Sequence, residues 1–502
     1  MPDKLHSFTL ADAARENGLF LAVSEAVVCG ADRLTYGEVD TRSSLLAAAL
    51  SEAGVAPGDC VVWIGHNCHR FLELLFACAK LGAVAVPLNW RWTAAEIRAN
   101  LAGLAVAAVL ASGSPEFESA ARAAVAATGK PVIYHDTDDY EERLAAQRGE
   151  PRATADSTDD DAVLGIFTAA FSGRPRVARI THRAIVTQSL VLAAFGIVNP
   201  GQEVYLCSGP MFHIGALLQA LATFHLGGRV VVLQRAEPGD ICDQIEKERC
   251  TSAFLVPVTI QAIVEHDTAT PRDLTSLRRV MSLPPEPVAE RWYQITSCQP
   301  PERPGFGGYG QTETYGMVSL DFRQPLSASP FGRPSPAAIV RVVDEAGREL
   351  APGEMGEIAA RGPLVMAGYA GEPSLPPGSW WRTGDLGVIE TDGGLRFCGP
   401  KTDLIKSGLE NIYPVEVENA IRSHEAVADV CVIGVSDPRW GESVRAVVQL
   451  RENFPIGPDD LIRHVQEQIA SYKKPKSVII VDALPRSGSA VDRDAVKDRY
   501  GS

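Results

Sequence analysis

The sequence predicts an α/β protein with a large N-terminal domain and a small C-terminal α+β domain. Up to about residue 300, apolar runs typical of buried strands alternate with helical patterns, which indicates parallel sheets covered on both faces. From about residue 336, short strands are instead separated by turns rich in Asp and Gly. The length of 502 residues suits roughly two to four domains.

Apolar periodicity predicts the elements of the N-terminal part. Amphipathic patterns predict helices over 42–53 and 70–81. Continuous apolar runs predict buried strands over 60–65, 83–88, 131–134, 228–233 and 253–256. Further helices are expected between the later strands.

A change in the pattern of strands and helices divides the C-terminal third into two units. The first is a small β-barrel or meander with strands over 338–343, 356–360 and 395–398. The second is an α+β unit of about 100 residues, large enough for its own core. Its predicted elements are a helix, two strands, a helix and a strand, over 415–423, 428–435, 443–450, 459–470 and 477–481. We therefore expect a boundary near 399–403, with domains spanning 1–401 and 402–502.

Composition excludes several classes of protein. With 46% apolar and 22% charged residues, the chain is neither disordered nor fibrous. The formal net charge of −15 argues against a general partner of nucleic acid or of anionic membranes. No apolar run approaches the ~18–20 residues of a bilayer span, and the start lacks the apolar core of a signal peptide. Ten cysteines without a Cys-x-x-Cys pair suit a reducing compartment, so we expect a soluble cytoplasmic enzyme.

Two local motifs have the chemistry of a nucleotide site. The first, Gly308-Tyr309-Gly310-Gln311-Thr312-Glu313, offers close backbone approach together with a hydroxyl and a carboxylate suited to phosphate and Mg²⁺. The second places the carboxylate of Asp385 after a tight turn, where it can accept hydrogen bonds from a ribose diol. Taken alone, the first motif fits a simple surface turn equally well.

Further segments resemble the adenylate-forming superfamily of acyl- and aryl-CoA synthetases, luciferases and nonribosomal adenylation domains. The resemblance covers nearly the whole chain, and the order and spacing of the matches make it specific, whereas any single match would be weak. Aryl-CoA ligases of about 500 residues look most similar. The matching segments lie at 34–36, 81–89, 210–215, 256–257, 356–363, 380–386, 401–408 and 411–418.

The resemblance implies a large domain of parallel sheets in αβαβα layers, a small β-barrel and a mobile C-terminal domain. It also implies a two-step reaction. A carboxylate attacks the α-phosphate of Mg·ATP, which gives an acyl-adenylate and pyrophosphate, and the thiol of CoA then takes the acyl group. Between the steps the C-terminal domain rotates about a hinge expected at Thr402 or Asp403, so that one cleft serves two sets of catalytic groups.

The resemblance also implies roles for individual residues in ATP chemistry. Thr312 and Glu313 match phosphate and Mg²⁺ contacts, Glu313 being the metal ligand, while Tyr309 matches an adenine-stacking position beside Gly310. Asp385 matches the ribose-binding carboxylate.

Other implied roles concern the acyl group and CoA, and each has an ordinary alternative. His213 matches a residue that lines the acyl pocket and the thiol passage, although a neutral core histidine is an alternative. Lys406 fits the loop after the hinge, where a solvated lysine is almost equally consistent. Four residues resemble contacts to the CoA nucleotide, with a solvated basic loop as the alternative: Trp440, Tyr472, Lys474 and Lys476.

The phosphate loop departs from the family pattern. Residues 167–177 read FTAAFSGRPRV, where the family usually has Tyr-Thr-Ser-Gly-Thr-Thr-Gly-x-Pro-Lys-Gly. The loop loses a hydroxyl and a glycine at Ala169 and Ala170 and gains bulk at Phe171, which leaves fewer donors and less backbone freedom. The groups retained for phosphate are those of Thr168, Ser172, Gly173 and Arg176.

Two further departures affect the ATP half of the site. A ribose-contacting arginine before the hinge is replaced by Pro400, and the C-terminal lysine that bridges carboxylate and α-phosphate is missing. Val491 occupies the place of this lysine, or a one-residue deletion has removed it. A cation at developing negative charge is typically worth ~10²–10³ in rate. The candidate substitutes in the sequence are Arg486, Arg493 and Lys497.

Three functions remain open at this point. The first is an acyl- or aryl-CoA ligase acting on a hydrophobic or aromatic carboxylic acid, because Leu283, Met317, Val318, Ile214, Leu217 and Leu218 suggest an apolar pocket. The second is the same adenylation with an amine or a carrier protein as acceptor. The third is a non-adenylating member with a degenerate ATP site. Dimers are common for such folds, so a homodimer is compatible with each.

Overall fold

The fold is that of a computed structural model, which describes residues 7–147, 156–168, 175–300, 307–320, 332–401, 403–408, 410–451, 454, 456–487 and 490–502. Within these residues, no helix is both long and apolar enough to cross a membrane.

Helices and strands alternate through the N-terminal part, as the sequence predicts. In chain order they are α1 (Leu10–Phe20), β1 (Glu25–Cys29), β2 (Asp32–Thr35), α2 (Tyr36–Glu52), β3 (Cys60–Ile64), α3 (His69–Leu81), β4 (Val84–Pro87), α4 (Ala94–Leu101), β5 (Val106–Ala111), α5 (Glu118–Thr128), β6 (Val132–Tyr134), α6 (Asp138–Ala146), β7 (Ala162–Phe167), β8 (Val177–Thr181), α7 (His182–Ala194), β9 (Val204–Cys207), α8 (Ile214–His225), β10 (Arg229–Val232), α9 (Pro238–Glu248), β11 (Ser252–Ala253), α10 (Pro257–Ala269), β12 (Arg279–Val280) and α11 (Glu286–Ile295).

These elements form two six-stranded sheets in five layers. One sheet has the order β12-β11-β9-β10-β1-β2 and the other β6-β5-β3-β4-β7-β8, each parallel except for its last strand. Helices α3 and α8 lie between the sheets, and α3 buries every residue except Arg70. Helices α4 and α5 cover the outer face of one sheet, while α9 and α10 cover that of the other. The predicted αβαβα arrangement is confirmed.

Short antiparallel strands follow. They are β13 (Gly308–Gln311), β14 (Gly316–Leu320), β15 (Arg333–Pro334), β16 (Ile339–Val343), β17 (Met355–Arg361), β18 (Trp381–Ile389) and β19 (Leu395–Pro400). Of the two predicted forms, barrel and meander, strands β16 to β19 adopt the meander, each pairing with the next.

The C-terminal unit has its own sheet and apolar core. Its elements are β20 (Ile405–Ser407), β21 (Glu410–Ile412), α12 (Pro414–Arg422), β22 (Val427–Asp437), β23 (Gly441–Leu450), α13 (Pro458–Gln468), β24 (Ser477–Val481), β25 (Arg486–Ser487), β26 (Ala490–Val491) and α14 (Arg493–Tyr500). The boundary predicted near 399–403 falls between β19 and β20. The β20–β21 hairpin was not predicted, and it carries Glu410 toward the N-terminal domain.

A buried lysine joins helices α2 and α3. Lys80 Nζ donates to the carbonyl oxygen and the Oδ1 atom of Asp40, at 2.7 Å each, and to the hydroxyls of Ser43 and Ser44. Both charged side chains are less than a tenth exposed. Removal of the ammonium therefore takes away four hydrogen bonds and a charge partner from a buried site.

We expect Lys80→Met to lower the free energy of unfolding by about 3–5 kcal/mol, because the buried carboxylate of Asp40 would lose the ammonium that donates to it. Urea denaturation followed by circular dichroism measures the change. The control is Lys130→Met at an exposed lysine, which should change stability by less than about 0.5 kcal/mol. Equal midpoints for the two variants would contradict the expectation.

Candidate active site

A cavity of 110 Å³ lies between the two domains, at the carboxyl ends of β4 and β7. Four predicted site residues, Thr168, His213, Thr312 and Tyr472, are among the lining. Ligands of open parallel sheets bind at this end of the strands. The remaining lining is Pro87, Asn89, Trp92, Phe167, Pro175, Phe212, Glu410, Asn411, Glu416 and Lys473.

One side of the cavity, called the acceptor side below, is lined by His213 and Glu410, and Arg91 contacts Glu410 there. His213 is the residue before α8, and its Nε2 lies 3.4 Å from Glu410 Oε1. Arg91 forms an ion pair with the same oxygen of Glu410. The Arg91 guanidinium also lies 4.8 Å from the ring of Tyr472 and 5.4 Å from that of Phe212. The hairpin of one domain is thereby fixed against side chains of the other.

Glu410 is ionised in this environment. Burial alone would raise its pKa, but the hydrogen bond with His213 and the charges of His213 and Arg91 outweigh burial and lower the pKa to about 2. The side chain is only 12% exposed. A carboxylate held in this way can orient the imidazole of His213 and stabilise it when it takes a proton.

The predicted metal ligand, Glu313, lies in a short 3₁₀ turn, Thr312–Thr314. Its Oε1 accepts a hydrogen bond of 2.7 Å from the hydroxyl of Tyr369. Burial raises the pKa of Glu313, while this hydrogen bond and the charge of Arg176 oppose the rise. The Arg176 guanidinium stacks 3.6 Å from the centre of the Tyr369 ring, so two predicted phosphate-site residues are linked through Tyr369.

Tyr309, Asp385 and Lys406 come together around Phe397. The Tyr309 hydroxyl donates to Asp385 Oδ2 at 2.6 Å, and the Tyr309 ring stacks on Phe397 with centroids 5.5 Å apart. Lys406 Nζ lies 5.1 Å from the centre of the same Phe397 ring. Burial raises the pKa of Asp385, against the effect of the Tyr309 hydroxyl and the Lys406 charge.

The β13–β14 hairpin explains why position 310 is a glycine. A Cβ atom on Gly310 would overlap the carbonyl of Gly316 in the paired strand. Gln311, next in the motif, binds the meander through a hydrogen bond to the Thr383 carbonyl and another from the Trp381 indole. The motif that carries Thr312 and Glu313 is therefore rigidly attached to the strand that carries Asp385.

The four predicted CoA contacts divide into two places. Trp440 and Lys476 lie at one surface, where the Lys476 ammonium is 5.8 Å from the centre of the Trp440 ring and donates to Asp437 at 2.7 Å. Lys474 is half-buried. Tyr472 instead lines the cavity, with its hydroxyl 3.4 Å from Asn89 Nδ2.

Each candidate substitute for the missing lysine already has a carboxylate partner. Arg493 and Lys497 bind the two oxygens of Asp403 at 2.9 and 2.8 Å, and Arg486 binds Asp429 at 2.6 Å. Val491 packs against an apolar cluster of the C-terminal domain. Of the phosphate loop, Ser172, Gly173 and the substituted Ala169, Ala170 and Phe171 lie outside the described residues.

Sequence reasoning missed Glu410, Arg91 and Tyr369 as site residues. Glu410 stands between two segments quoted for the family resemblance, and Arg91 follows another by two positions. Proximity to these segments was the only available signal, because none of the three belongs to a recognisable catalytic spacing.

Comparison with known proteins establishes the family. The AMP-binding enzyme profile matches residues 22–370, and the profile of the AMP-binding enzyme C-terminal domain matches residues 416–490. The first match alone covers more than half of the 502 residues. This chain belongs to the AMP-binding enzyme family, and the resemblance stated from its motifs is confirmed.

Individual proteins are similar over nearly their whole length. A feruloyl-CoA synthase of Amycolatopsis sp. is 34% identical, over 95% of this chain and 96% of that protein. The amide bond synthetase McbA of Marinactinospora thermotolerans is 25% identical and superposes with a TM-score of 0.83, over 98% of this chain and 100% of McbA. The predicted class, a ligase of the acyl-CoA synthetase type, is the class to which these similarities point.

Two structures of one Bacillus subtilis enzyme, o-succinylbenzoate CoA synthetase, differ in their similarity to this chain. Bound to a CoA product analogue, a double mutant of that enzyme has a TM-score of 0.81, whereas the AMP complex has 0.66. Both are 25% identical and cover 97% of this chain and 98% of theirs. The domain arrangement here therefore resembles that of the product-analogue complex.

We expect Glu410→Gln to be destabilising in a way that depends on pH. The folded pKa of about 2 lies below the ordinary 4.5, so the carboxylate contributes about 3 kcal/mol above pH 4.5, and this is lost as pH falls toward 2. Urea denaturation of wild type and variant between pH 7 and pH 3.5 measures the difference in their free energies of unfolding. Glu118→Gln, at an exposed glutamate, is the control. A difference in unfolding free energy between wild type and Glu410→Gln that does not decrease below pH 4.5 would contradict the lowered pKa of Glu410.

Proposed function

We propose that this protein is an ATP-dependent acyl- or aryl-CoA ligase that activates a hydrophobic or aromatic carboxylic acid. The observation that carries the proposal is the cavity lined by Thr168, Thr312, His213 and Glu410, to which both domains contribute. Phosphate-site groups, Thr168 and Thr312, line one part of it, and the His213–Glu410 pair lines another. A carboxylate activated at the first part can meet an acceptor at the second without leaving the protein.

In the first step, the acid attacks the α-phosphate of ATP and pyrophosphate leaves. Glu313 fits a Mg²⁺ ligand, because its carboxylate uses one oxygen toward Tyr369 and Mg²⁺ typically binds through one or two carboxylates plus phosphate oxygens. When bound, the ion would neutralise phosphate charge. Thr168 and Thr312 offer hydroxyl donors to phosphate, and Arg176 adds a cation beside Glu313.

In the second step, a CoA thiol attacks the acyl-adenylate and AMP leaves. The Nε2–H of neutral His213 donates to Glu410, so the other ring nitrogen, Nδ1, takes the thiol proton, and Glu410 stabilises the imidazolium that results. Trp440, Lys474 and Lys476 hold the CoA nucleotide outside the cavity, where an aromatic face lies beside an ammonium group. We place the reaction in the cytoplasm, a location supported by ten free cysteines.

The structural similarity to McbA favours a second candidate, amide synthesis. That enzyme is an amide bond synthetase and has a TM-score of 0.83 with this chain. The same His213–Glu410 pair would take a proton from an attacking amine. The two functions share the adenylation step and differ only in the acceptor.

A panel of acids tests the proposal. We expect ferulic, cinnamic, benzoic, phenylacetic or octanoic acid, with Mg·ATP and CoA, to give pyrophosphate, AMP and the acyl-CoA, detected by mass spectrometry. Ferulic acid is included because a feruloyl-CoA synthase is similar to this chain. Amide formation when an amine replaces CoA would favour the second candidate. The ligase proposal fails if no acid releases pyrophosphate and calorimetry detects no binding of Mg·ATP.

Restoring the missing lysine tests whether its loss limits adenylation. We expect Val491→Lys, or Ala490→Lys if a deletion removed the residue, to raise pyrophosphate release without CoA by ~10²-fold, because a cation would again face the developing charge. Because Val491 packs against an apolar cluster, Val491→Met is the uncharged control for position 491. No gain at either position would favour a repurposed member of the family over a ligase limited by the missing lysine.

A further inference from the structure

A buried cluster of three charges joins the domains beside the cavity. Lys473 Nζ lies 2.6 Å from Glu416 Oε1 and 3.0 Å from Glu96 Oε1. Glu416 belongs to the C-terminal domain with Lys473, whereas Glu96 belongs to α4 of the N-terminal domain, 377 residues away from the lysine. Each of the three side chains is less than a tenth exposed.

Burial and the neighbouring charges have opposite effects on this cluster, and burial raises the pKa of Glu416. Burial alone would lower the pKa of Lys473, but Tyr472 and the charges of Glu416 and Glu96 outweigh it and raise the pKa. One ammonium thus serves two carboxylates. If the domains separated, Lys473 would keep Glu416, but Glu96 would lose its cation. The cross-domain contact is the part of the cluster that depends on docking.

The cluster adjoins the acceptor side, and a further hydrogen bond joins the two domains nearby. Lys473 and Glu416 both line the cavity, and the neighbouring Tyr472 packs against Arg91, the partner of Glu410. The hydroxyl of Thr93, at the start of α4, lies 3.2 Å from the carbonyl of Gln468. Movement of Lys473 away from Glu96 would therefore displace Tyr472 and Glu410, which line the cavity from the same domain as Lys473.

We propose that Glu96 and Lys473 are positioning residues for acyl transfer, whose cross-domain ion pair holds the C-terminal domain in the arrangement that forms the acceptor side of the cavity. The inference rests on the proposed function, which supplies the acyl-transfer step. It assigns no contact with substrate to either residue. Adenylation does not use the His213–Glu410 pair, so loss of the ion pair should spare it.

The chain offers a matched pair of variants. The Oε2 atom of Glu96 accepts hydrogen bonds from the backbone and hydroxyl of Thr93, and Glu38 makes the same capping interactions with Thr35 at the start of α2. Glutamine can replace glutamate in such a capping box. Glu96→Gln therefore removes the charge that faces Lys473, and Glu38→Gln makes the same change at an exposed cap.

The first measurement needs no substrate. Nine of the ten cysteines are buried and Cys398 is exposed, so Cys398→Ser permits spin labels at Glu118→Cys and Arg463→Cys, one on each domain and both at exposed side chains. We expect Glu96→Gln to reduce the ratio of docked to other arrangements about tenfold or more, as loss of a charged hydrogen bond implies. The Glu38→Gln variant should keep the wild-type distance distribution. A Glu96→Gln distribution equal to that of Glu38→Gln overturns the proposal.

The second measurement separates the two steps, with the acid found active in the panel. We expect Glu96→Gln to lower CoA-dependent thioester formation about tenfold while pyrophosphate release without CoA does not fall. An equal fall in both rates would indicate general damage and would overturn a positioning role. If no acid is active and Mg·ATP does not bind, the proposed function fails, and the spin-label distances still decide whether the ion pair holds the domains.

Discussion

The acceptor side of the site depends on buried carboxylates whose cations come from other elements. Glu410 has Arg91 of the N-terminal domain, and Glu96 has Lys473 of the C-terminal domain. A buried carboxylate without a partner costs several kcal/mol, so separated domains would have to admit water to both places. The acceptor side of the cavity therefore forms only when the domains are docked, because only then does each of these carboxylates meet its cation.

Apolar periodicity was sufficient to predict the large elements. The helix expected over 70–81 is α3, almost fully buried between two sheets, and the strands expected over 60–65 and 83–88 are β3 and β4. The helix expected over 42–53 begins earlier, at Tyr36, because Thr35 and Glu38 cap it. The strand expected over 253–256 covers only Ser252–Ala253, since Pro257 starts α10.

The residues that sequence alone could not assign depend on contacts between distant segments. Lys473 is indistinguishable in sequence from Lys474 and Lys476, yet it is buried because Glu96 meets it from 377 residues away. Arg493 looked available to replace the missing lysine, but Asp403 and Glu418 already bind it. The sequence shows that a residue carries a charge, but only the folded structure shows whether a carboxylate already binds that charge.

The exposed surface at Trp440 has a consequence for encounter kinetics. Arg439 and Lys476 flank its ring there, on a protein of formal charge −15. At low ionic strength the net negative charge of the protein repels an anion from farther away than these two cations attract it, whereas at physiological ionic strength charges are screened beyond about 8 Å. A polyanionic nucleotide should therefore associate faster as salt increases, up to the concentration at which its contacts at this surface are screened as well.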